Sequence, residues 1–152
     1  MKRSWQTYSL LFLLLVVFDR LTKLWVMSTG YQAWQLSSWF AFTRSLNRGI
    51  SFSLFSFSST HYYALVSLVV SLMCIALFRY AYRRWRDGHD IVAETVVLAG
   101  AFSNLIDRMW YGGVVDFIEV SYGAWIWPAF NVADMLIVVG LLVMCIKGFN
   151  EE

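Results

Sequence analysis

The sequence predicts an integral membrane protein that is mainly α-helical. Of its 152 residues, 59% are hydrophobic and 14% are charged, and the mean hydropathy is +0.58. Soluble domains average about 25% charged and about 45–50% apolar residues, so this chain has too few polar side chains to cover an aqueous surface. Aromatic residues make up 18% of the chain, and Trp and Tyr favour the bilayer interface.

Four apolar stretches are long enough to cross a bilayer as helices. A span needs about 20 apolar residues, because the hydrocarbon core is about 30 Å thick and each helical residue rises about 1.5 Å. The stretches cover approximately residues 8–27, 62–82, 91–111 and 130–147, and the second carries no charge before Arg79. We therefore predict four transmembrane helices in a single membrane domain over residues 1–152.

The segment between the first two spans, approximately residues 31–60, is too polar to be another span. Within it, residues 51–58 read Ser-Phe-Ser-Leu-Phe-Ser-Phe-Ser. This pattern is close to the two-residue period of a half-buried strand, which would turn Phe52, Leu54 and Phe57 toward lipid. A loop with Ser-rich turns is the alternative interpretation.

Basic residues cluster at those span ends that share one side of the membrane. They precede the first span, follow the second and end the fourth: Lys2, Arg3, Arg79, Arg83, Arg84, Arg86 and Lys147. By the positive-inside rule this side is cytoplasmic, so both termini lie inside, and residues 28–61 and 108–129 face outward. The N-terminus is similar to a secretory signal, but Asp19-Arg20 stands where a small-residue cleavage site is expected, which favours a retained anchor.

Charge and motifs argue against several classes of function. A net charge of +2 gives no electrostatic case for binding nucleic acid. The sequence contains no metal, nucleotide or serine-hydrolase motif, and His61 and His89 fall on opposite sides of the membrane. Cys74 and Cys145 lie within spans, where cysteine behaves as a small apolar residue. We therefore predict neither a metal nor a cofactor.

Ionisable side chains within spans cost about 2.5–3.5 kcal/mol each at a helix centre, so they are candidates for function. Asp19 and Lys23 are four residues apart, which favours an ion pair; activation of a serine by Lys23 is an alternative. Asn104, Asp107 and Arg108 share one stripe of the third helix. The stripe fits a polar cluster that joins helices, and Arg108 also suits binding of a peptide carbonyl or carboxylate.

Two further aspartates lie at one predicted depth near the outer face. Asp116 stands in the apolar run Val-Val-Asp-Phe-Ile without a local partner. Asp134 lies three residues after Asn131, as in a capping box, where the helix dipole also favours an acid. Two carboxylates in an apolar setting equally suit general acid–base catalysis, because desolvation and repulsion keep one protonated while the other ionises. At this point capping and catalysis both account for Asp134.

Five sequence blocks, in order along the chain, resemble those of the bacterial lipoprotein signal peptidases, the signal peptidase II family. The blocks are Asp19-Arg20-Leu-Thr-Lys23, Asn47-Arg-Gly49-Ile-Ser-Phe52-Ser53, Gly100-Ala-Phe-Ser103-Asn104-Leu-Ile-Asp107-Arg108, Gly113-Val-Val-Asp116-Phe117-Ile118 and Phe130-Asn131-Val-Ala-Asp134. The chain departs from the family pattern at four positions: Arg20 replaces the usual Gln, Ser103 a Gly, Met135 a Ser and Leu46 an aromatic residue. Both aspartates are intact.

The resemblance implies an aspartyl endopeptidase of the bacterial inner membrane that cuts diacylglyceryl-modified prolipoproteins before the lipidated cysteine. It implies a small periplasmic β-cradle, an active site at the periplasmic face and inhibition by the cyclic peptide globomycin. By motif match, Asp116 and Asp134 would be the catalytic dyad. Four matched residues would hold the substrate: Asn47, Asn104, Arg108 and Asn131. Three others would support the shape of the site: Asp19, Lys23 and Asp107.

Two other functions fit parts of the pattern. Carboxylates within spans also mark ion routes, so a small transporter or proton pathway is an alternative. The second span and the inner half of the fourth are apolar, however, which disfavours a conduit. The other alternative is a catalytically inert lipoprotein-biogenesis factor with the same fold.

Overall fold

Four helices and four short strands make up the part of the chain that the computed structural model describes, residues 4–30, 33–49 and 60–150. The helices are α1 (Trp5–Ser28), α2 (Thr60–Arg86), α3 (Val92–Tyr111) and α4 (Val132–Asn150), and the strands are β1 (Ala33–Gln35), β2 (Phe40–Asn47), β3 (Val114–Tyr122) and β4 (Trp125–Ile126). The strands form one antiparallel sheet in the order β1-β2-β3-β4. The prediction of a mainly helical fold with a small sheet is confirmed.

The four helices run through the apolar stretches of the sequence and turn large apolar side chains outward. Leu14, Leu72, Met73 and Leu142 are each more than half exposed. An extended apolar surface of this kind suits contact with lipid. By length and composition, one helix among the described residues, Tyr63–Arg86, qualifies to cross a membrane. Four spans therefore stay a prediction.

The sheet is only partly where the sequence pattern placed it. β1 and β2 lie within the segment 31–60, whereas the alternating stretch 51–58, with Phe52, Leu54 and Phe57, lies outside the described residues. β3 extends the short piece around Asp116 to Tyr122 and turns back into β4 through Gly123, whose φ is +60°. The two-residue strand β4 was not predicted, because two residues carry no periodicity.

Strand pairing brings distant parts of the chain to one place. β2 lies against β3 with Ser45 opposite Asp116 and Asn47 opposite Val114. The backbone of Phe130 then bonds to that of Ile118 in both directions, with N···O distances of 3.0 and 2.8 Å. The start of α4 is therefore tied directly to β3.

Helices α3 and α4 approach each other closely through glycines. A Cβ atom added to Gly100 would lie 2.4 Å from the backbone oxygen of Ala133, and one added to Gly140 would lie 2.5 Å from Val97 Cγ2. Small residues at such crossings let two helix backbones come into contact. This contact fixes the height of α4 relative to α3, and with it the height of Asp134 relative to Asn104.

A group of charged residues is fully buried where α1 packs on α3; we call it the charged cluster, and it consists of Asp19, Lys23 and Asp107. Lys23 Nζ lies 2.8 Å from Asp19 Oδ2 and 2.7 Å from Asp107 Oδ2. The ion pair that the four-residue spacing of Asp19 and Lys23 favours is therefore present. One ammonium group serves two carboxylates, one on each helix.

Both carboxylates of the charged cluster also accept hydrogen bonds from backbone outside α1. Asp19 Oδ1 accepts from the N–H of Ala133 in the first turn of α4, at 2.8 Å. Asp107 Oδ2 accepts from the N–H of Val115 in β3, at 3.2 Å. The charged cluster therefore joins α1, α3, α4 and β3.

Two residues that depart from the family pattern are in contact with the charged cluster. Arg20 forms an ion pair with Asp107. Ser103 is fully buried, and its Oγ donates to Asp19 Oδ2 at 2.6 Å. The larger side chain of Ser103 is thus accommodated beside Asn104 by a hydrogen bond of its own.

Substitution at Gly100 tests the close helix contact. We expect Gly100→Ala to lower the free energy of unfolding by about 1–3 kcal/mol, because the added methyl group meets a backbone oxygen that cannot rotate away. The measurement is thermal unfolding of the protein purified in detergent. Gly148→Ala in α4 is the control, since no atom lies within 4 Å of its added Cβ. Equal stability of the two variants would contradict the packing described.

Removal of the central ammonium tests the charged cluster. We expect Lys23→Met to destabilise the protein by about 3–5 kcal/mol, because it leaves two carboxylates buried without their shared cation. The matched control is Lys147→Met, whose ion pair with Asp90 is exposed and contributes about 0–1 kcal/mol. A loss for Lys23→Met no larger than that for the control would show that the charged cluster does not hold the fold together.

Candidate active site

Asp116 lies in β3 with its side chain buried among polar partners. Its Oδ2 accepts from Asn47 Nδ2 at 3.0 Å, and its Oδ1 accepts from Asn131 Nδ2 at 2.7 Å. The residue Asp116 is only 2% exposed. The partner that the local sequence does not provide therefore comes from β2 and from the start of α4.

Asp134 lies in the first turn of α4 and is less buried than Asp116. Its N–H donates to Asn131 Oδ1 at 2.9 Å, and its Oδ2 accepts from the N–H of Asn131 at 3.2 Å. This reciprocal pair is the capping box that the spacing of the two residues predicts. The other oxygen, Oδ1, accepts from Asn104 Nδ2 at 2.8 Å.

Asn131 brings the two aspartates together. Its Oδ1 caps the helix at Asp134, so its Nδ2 is left to donate, and it donates to Asp116. Capping and a shared site are thus two functions of one arrangement rather than alternatives. Residues 116 and 134, which the sequence placed at one depth, are both bonded to one amide side chain.

The charged cluster determines which way the Asn104 amide points. Lys23 Nζ donates to Asn104 Oδ1 at 2.9 Å. An ammonium group only donates, so the carbonyl end of Asn104 must face Lys23 and the NH₂ end must face Asp134. A buried charge on α1 thereby positions a hydrogen bond to the carboxylate on α4.

The pKa of Asp116 is raised from its ordinary value of 3.8 to about 7, mainly by burial and in smaller part by the negative charge of Asp134. The hydrogen bonds from Asn47 and Asn131, and the positive charge of Lys23, act in the opposite direction. Near neutral pH this carboxyl group is therefore poised between its protonated and ionised forms. Such a group is suited to donate or accept a proton during a reaction.

Arg108 lies at the edge of the site, above the turn that follows β2. One guanidinium nitrogen donates to the carbonyl of Gly49 at 2.6 Å, while the other terminal nitrogen, Nη1, has no hydrogen-bond partner among the described residues. The guanidinium carbon lies 5.8 Å from the centre of the Tyr63 ring, and the Tyr63 hydroxyl donates to the Arg108 carbonyl at 2.5 Å. Within the described part of the chain, a buried donor is therefore held in place without an acceptor.

The structure brings all nine residues singled out by the sequence into one connected region. The amides of Asn47, Asn104 and Asn131 bond to the two aspartates, and the charged cluster lies behind Asn104. Sequence analysis missed Tyr63, for which no motif gave a signal. It also did not include Arg20, which pairs with Asp107. The available signal was its position directly after Asp19, which places it on an adjacent part of the same helix.

Comparison with known proteins shows the family of this chain. The model of the signal peptidase (SPase) II family matches residues 11–150. A lipoprotein signal peptidase of Burkholderia thailandensis is 36% identical over 138 residues, which cover 87% of this chain and 81% of the relative. A lipoprotein signal peptidase of Psychromonas ingrahamii is 29% identical over 143 residues, which cover 90% of this chain and 80% of the relative.

Solved structures agree with this relationship. A bacterial membrane enzyme determined by the in meso method matches with a TM-score of 0.78 at 23% identity, covering 99% of this chain and 92% of the other. A second bacterial membrane enzyme matches with a TM-score of 0.71 at 26% identity, covering 96% and 94%. The resemblance seen in the five sequence blocks is confirmed: the chain belongs to the signal peptidase II family of bacterial membrane proteases.

Proposed function

We propose that this chain is an aspartyl endopeptidase that removes the signal peptide from diacylglyceryl-modified prolipoproteins, cutting before the lipidated cysteine. The observation that carries the proposal is the joint hold of Asn131 on Asp116 and Asp134. The two relatives named lipoprotein signal peptidases support the substrate class. The reaction needs no group beyond water and the side chains of the chain itself.

In this proposal the ionised carboxylate of the dyad removes a proton from water as the water oxygen attacks the scissile carbonyl carbon. The protonated carboxyl group polarises the carbonyl oxygen during the attack. The C–N bond then breaks as a proton passes to the departing amine of the cysteine. The protonated carboxyl group supplies that proton, so the proton taken from water is left on the base. Its transfer to the other carboxyl group restores the resting site.

We assign the proton in the resting site to Asp116. Its pKa of about 7 keeps much of it protonated at neutral pH. Asp134 instead lies at a helix N-terminus, and its two oxygens accept from Asn104 Nδ2 and from the N–H of Asn131. Both carboxyl groups have a donor at each oxygen, so the positive end of the helix dipole is what favours the anion at Asp134. Asp134 is accordingly the base, and Asp116 is the acid.

Arg108 is proposed to hold the backbone of the substrate. Its Nη1 has no partner among the residues that the structure describes, and its other nitrogen fixes the guanidinium plane against Gly49. A peptide carbonyl beside the dyad would satisfy this buried donor. The amides of Asn47, Asn104 and Asn131 contact the two carboxylates, so in this proposal their first task is to position the dyad; the predicted contact with substrate adds to it.

The proposed setting is the bacterial inner membrane, with four spanning helices, both termini in the cytoplasm and the sheet at the periplasmic face. The dyad, Arg108 and the sheet lie together at one end of the helices, where α3 ends and α4 begins. The opposite end carries the exposed Arg79 and Arg83, as the positive-inside rule requires. Binding of globomycin at the dyad is part of the same proposal.

The transporter alternative has less support from the packing. A proton or ion route would need polar groups that continue between α3 and α4 toward the cytoplasmic end, whereas Ala93, Val97 and Gly140 meet there. Activation of a serine by Lys23 is likewise disfavoured, because all three donors of its ammonium group have acceptors. A flux in proteoliposomes that is lost with Asp116→Ala, without any peptidase activity, would reverse this preference.

Substitution of each aspartate tests the dyad. We expect Asp116→Asn and Asp134→Asn each to lower the rate of prolipoprotein cleavage by a factor of about 10²–10⁴, because an amide can neither give nor take the catalytic proton. The assay uses purified protein and a diacylglyceryl-modified prolipoprotein. Glu119→Gln, on the same strand as Asp116, removes one negative charge outside the site and is expected to cleave normally. Full cleavage by both Asn variants would end the dyad model, and normal cellular function of Asp134→Asn would favour the inert factor.

The pH dependence of cleavage tests the assignment of the proton. We expect kcat/KM to fall as the pH rises through about 7, because Asp116 then loses the proton that it must donate.

Removing the negative charge in Asp134→Asn is expected to lower the pKa of Asp116, which NMR of ¹³C-labelled aspartate can follow in the inactive variant. An unchanged Asp116 titration in Asp134→Asn would show that the two carboxyl groups do not interact.

A further inference from the structure

An apolar groove lies between α1 and α2, with α3 as its floor, at the end of the molecule away from the dyad. Its volume is about 620 Å³, which is within the roughly 300–1,000 Å³ typical of ligand sites. Its walls and floor include the side chains of Phe12, Leu13, Ile75, Phe78, Leu98 and Phe102. Leu13 and Ile75 are each 57% exposed, so the groove opens toward the surrounding medium.

Three of the hydroxyl groups that line the groove are already bonded to the chain itself. Ser71 Oγ donates to the carbonyl of Ser67 at 2.7 Å, and Thr95 Oγ1 donates to the carbonyl of Ile91 at 2.7 Å. The Tyr8 hydroxyl donates to Asp90 at 2.9 Å. These three hydroxyl groups therefore offer little to a polar ligand, and the groove suits a hydrocarbon chain.

Basic side chains continue the outer edge of this groove. Ile75 lines the groove on α2. Arg79 follows it by four residues and Arg83 by eight, each step about 40° further round the helix from the groove. Both arginines are exposed. Their long apolar stems can lie along the helix while their charged ends reach the level of lipid headgroups. Positive charge thus follows the apolar lining along α2, beside the exposed edge of the groove at Ile75.

Aromatic residues mark the level at which the groove meets the interface. The Trp5 ring lies 5.7 Å from the Tyr82 ring and 5.1 Å from the Trp85 ring, between centroids. Trp and Tyr concentrate where hydrocarbon meets headgroups. The arginine row therefore stands at headgroup depth on the side that we propose to be cytoplasmic.

Acidic groups near this end are largely engaged elsewhere. Asp90 accepts from Lys147 Nζ at 2.9 Å as well as from Tyr8, and Glu94 lies 3.0 Å from Arg84. Asp87, in the turn beyond α2, is a further carboxylate there. Arg79 and Arg83 thus present positive charge beside the edge of the groove that α2 forms.

We propose that the groove binds one anionic phospholipid of the cytoplasmic leaflet, with an acyl chain between α1 and α2 and its phosphate beside Arg79 and Arg83. The inference rests on the membrane orientation proposed above but not on peptidase activity. Apolar lining alone would accept any lipid. The arginine row adds the preference for negative charge.

Native mass spectrometry of the purified full-length chain tests this proposal. The probes are phosphatidylglycerol and phosphatidylcholine with identical acyl chains, added in equal amounts without substrate. We expect retention of phosphatidylglycerol to exceed that of phosphatidylcholine roughly 30-fold, since each arginine beside an anionic headgroup contributes about a factor of five. In the double variant Arg79→Gln/Arg83→Gln this preference is expected to vanish, whereas Arg44→Gln, near the sheet, keeps it.

Filling the groove is the second arm of the experiment. Ile75→Trp is expected to reduce retention of both lipids, while Met73→Trp, on a different face of α2, leaves retention unchanged. Leu13→Trp on the opposite wall repeats the test should Ile75→Trp fold poorly. Equal retention of the two lipids by the unaltered protein would overturn the proposal, as would displacement of phosphatidylglycerol by a signal peptide that competes for the groove. Selective retention without prolipoprotein cleavage would count against the proposed function alone.

Discussion

The buried ammonium group of Lys23 is the interaction on which the rest of the structure depends. It lies between two carboxylates, Asp19 and Asp107, and each of these also holds backbone of another element. Helix α4 and strand β3 lie far from Lys23 in the sequence, yet both are attached to its ammonium group through these carboxylates. An ion pair of this kind is costly to bury and more costly to leave half formed. It therefore sets the geometry of four elements at once.

The same ammonium group reaches the proposed active site through a single amide. Because Lys23 occupies the carbonyl end of Asn104, the amide donates toward Asp134, and the capping of α4 likewise turns the Asn131 amide toward Asp116. Each carboxylate receives its donors from groups whose orientation is decided elsewhere. This is how an apolar protein supplies a polar site: few groups, each fixed by a partner behind it.

Much of this was available from the sequence. Helix positions followed from apolar runs, the Asp19–Lys23 pair from four-residue spacing, and the capping box from the three-residue spacing of Asn131 and Asp134. What spacing cannot give is contact between residues far apart in the chain. The Asn47–Asp116 hydrogen bond depends on the register of the strands, and the hydrogen bond from Ser103 to Asp19 depends on how the helices pack. The five motif blocks named these residues together, but only the fold shows which atom meets which.

The central claim is that Asp116 and Asp134 act as one unit. A double-mutant comparison of cleavage rates measures this directly. When two residues act in one chemical step, removing the second costs little more once the first has been removed. We expect the variant carrying both Asp116→Asn and Asp134→Asn to cleave no more slowly than the slower of the two single variants. A rate for the double variant equal to the product of the two separate losses would mean that the carboxyl groups act independently, and would contradict the account.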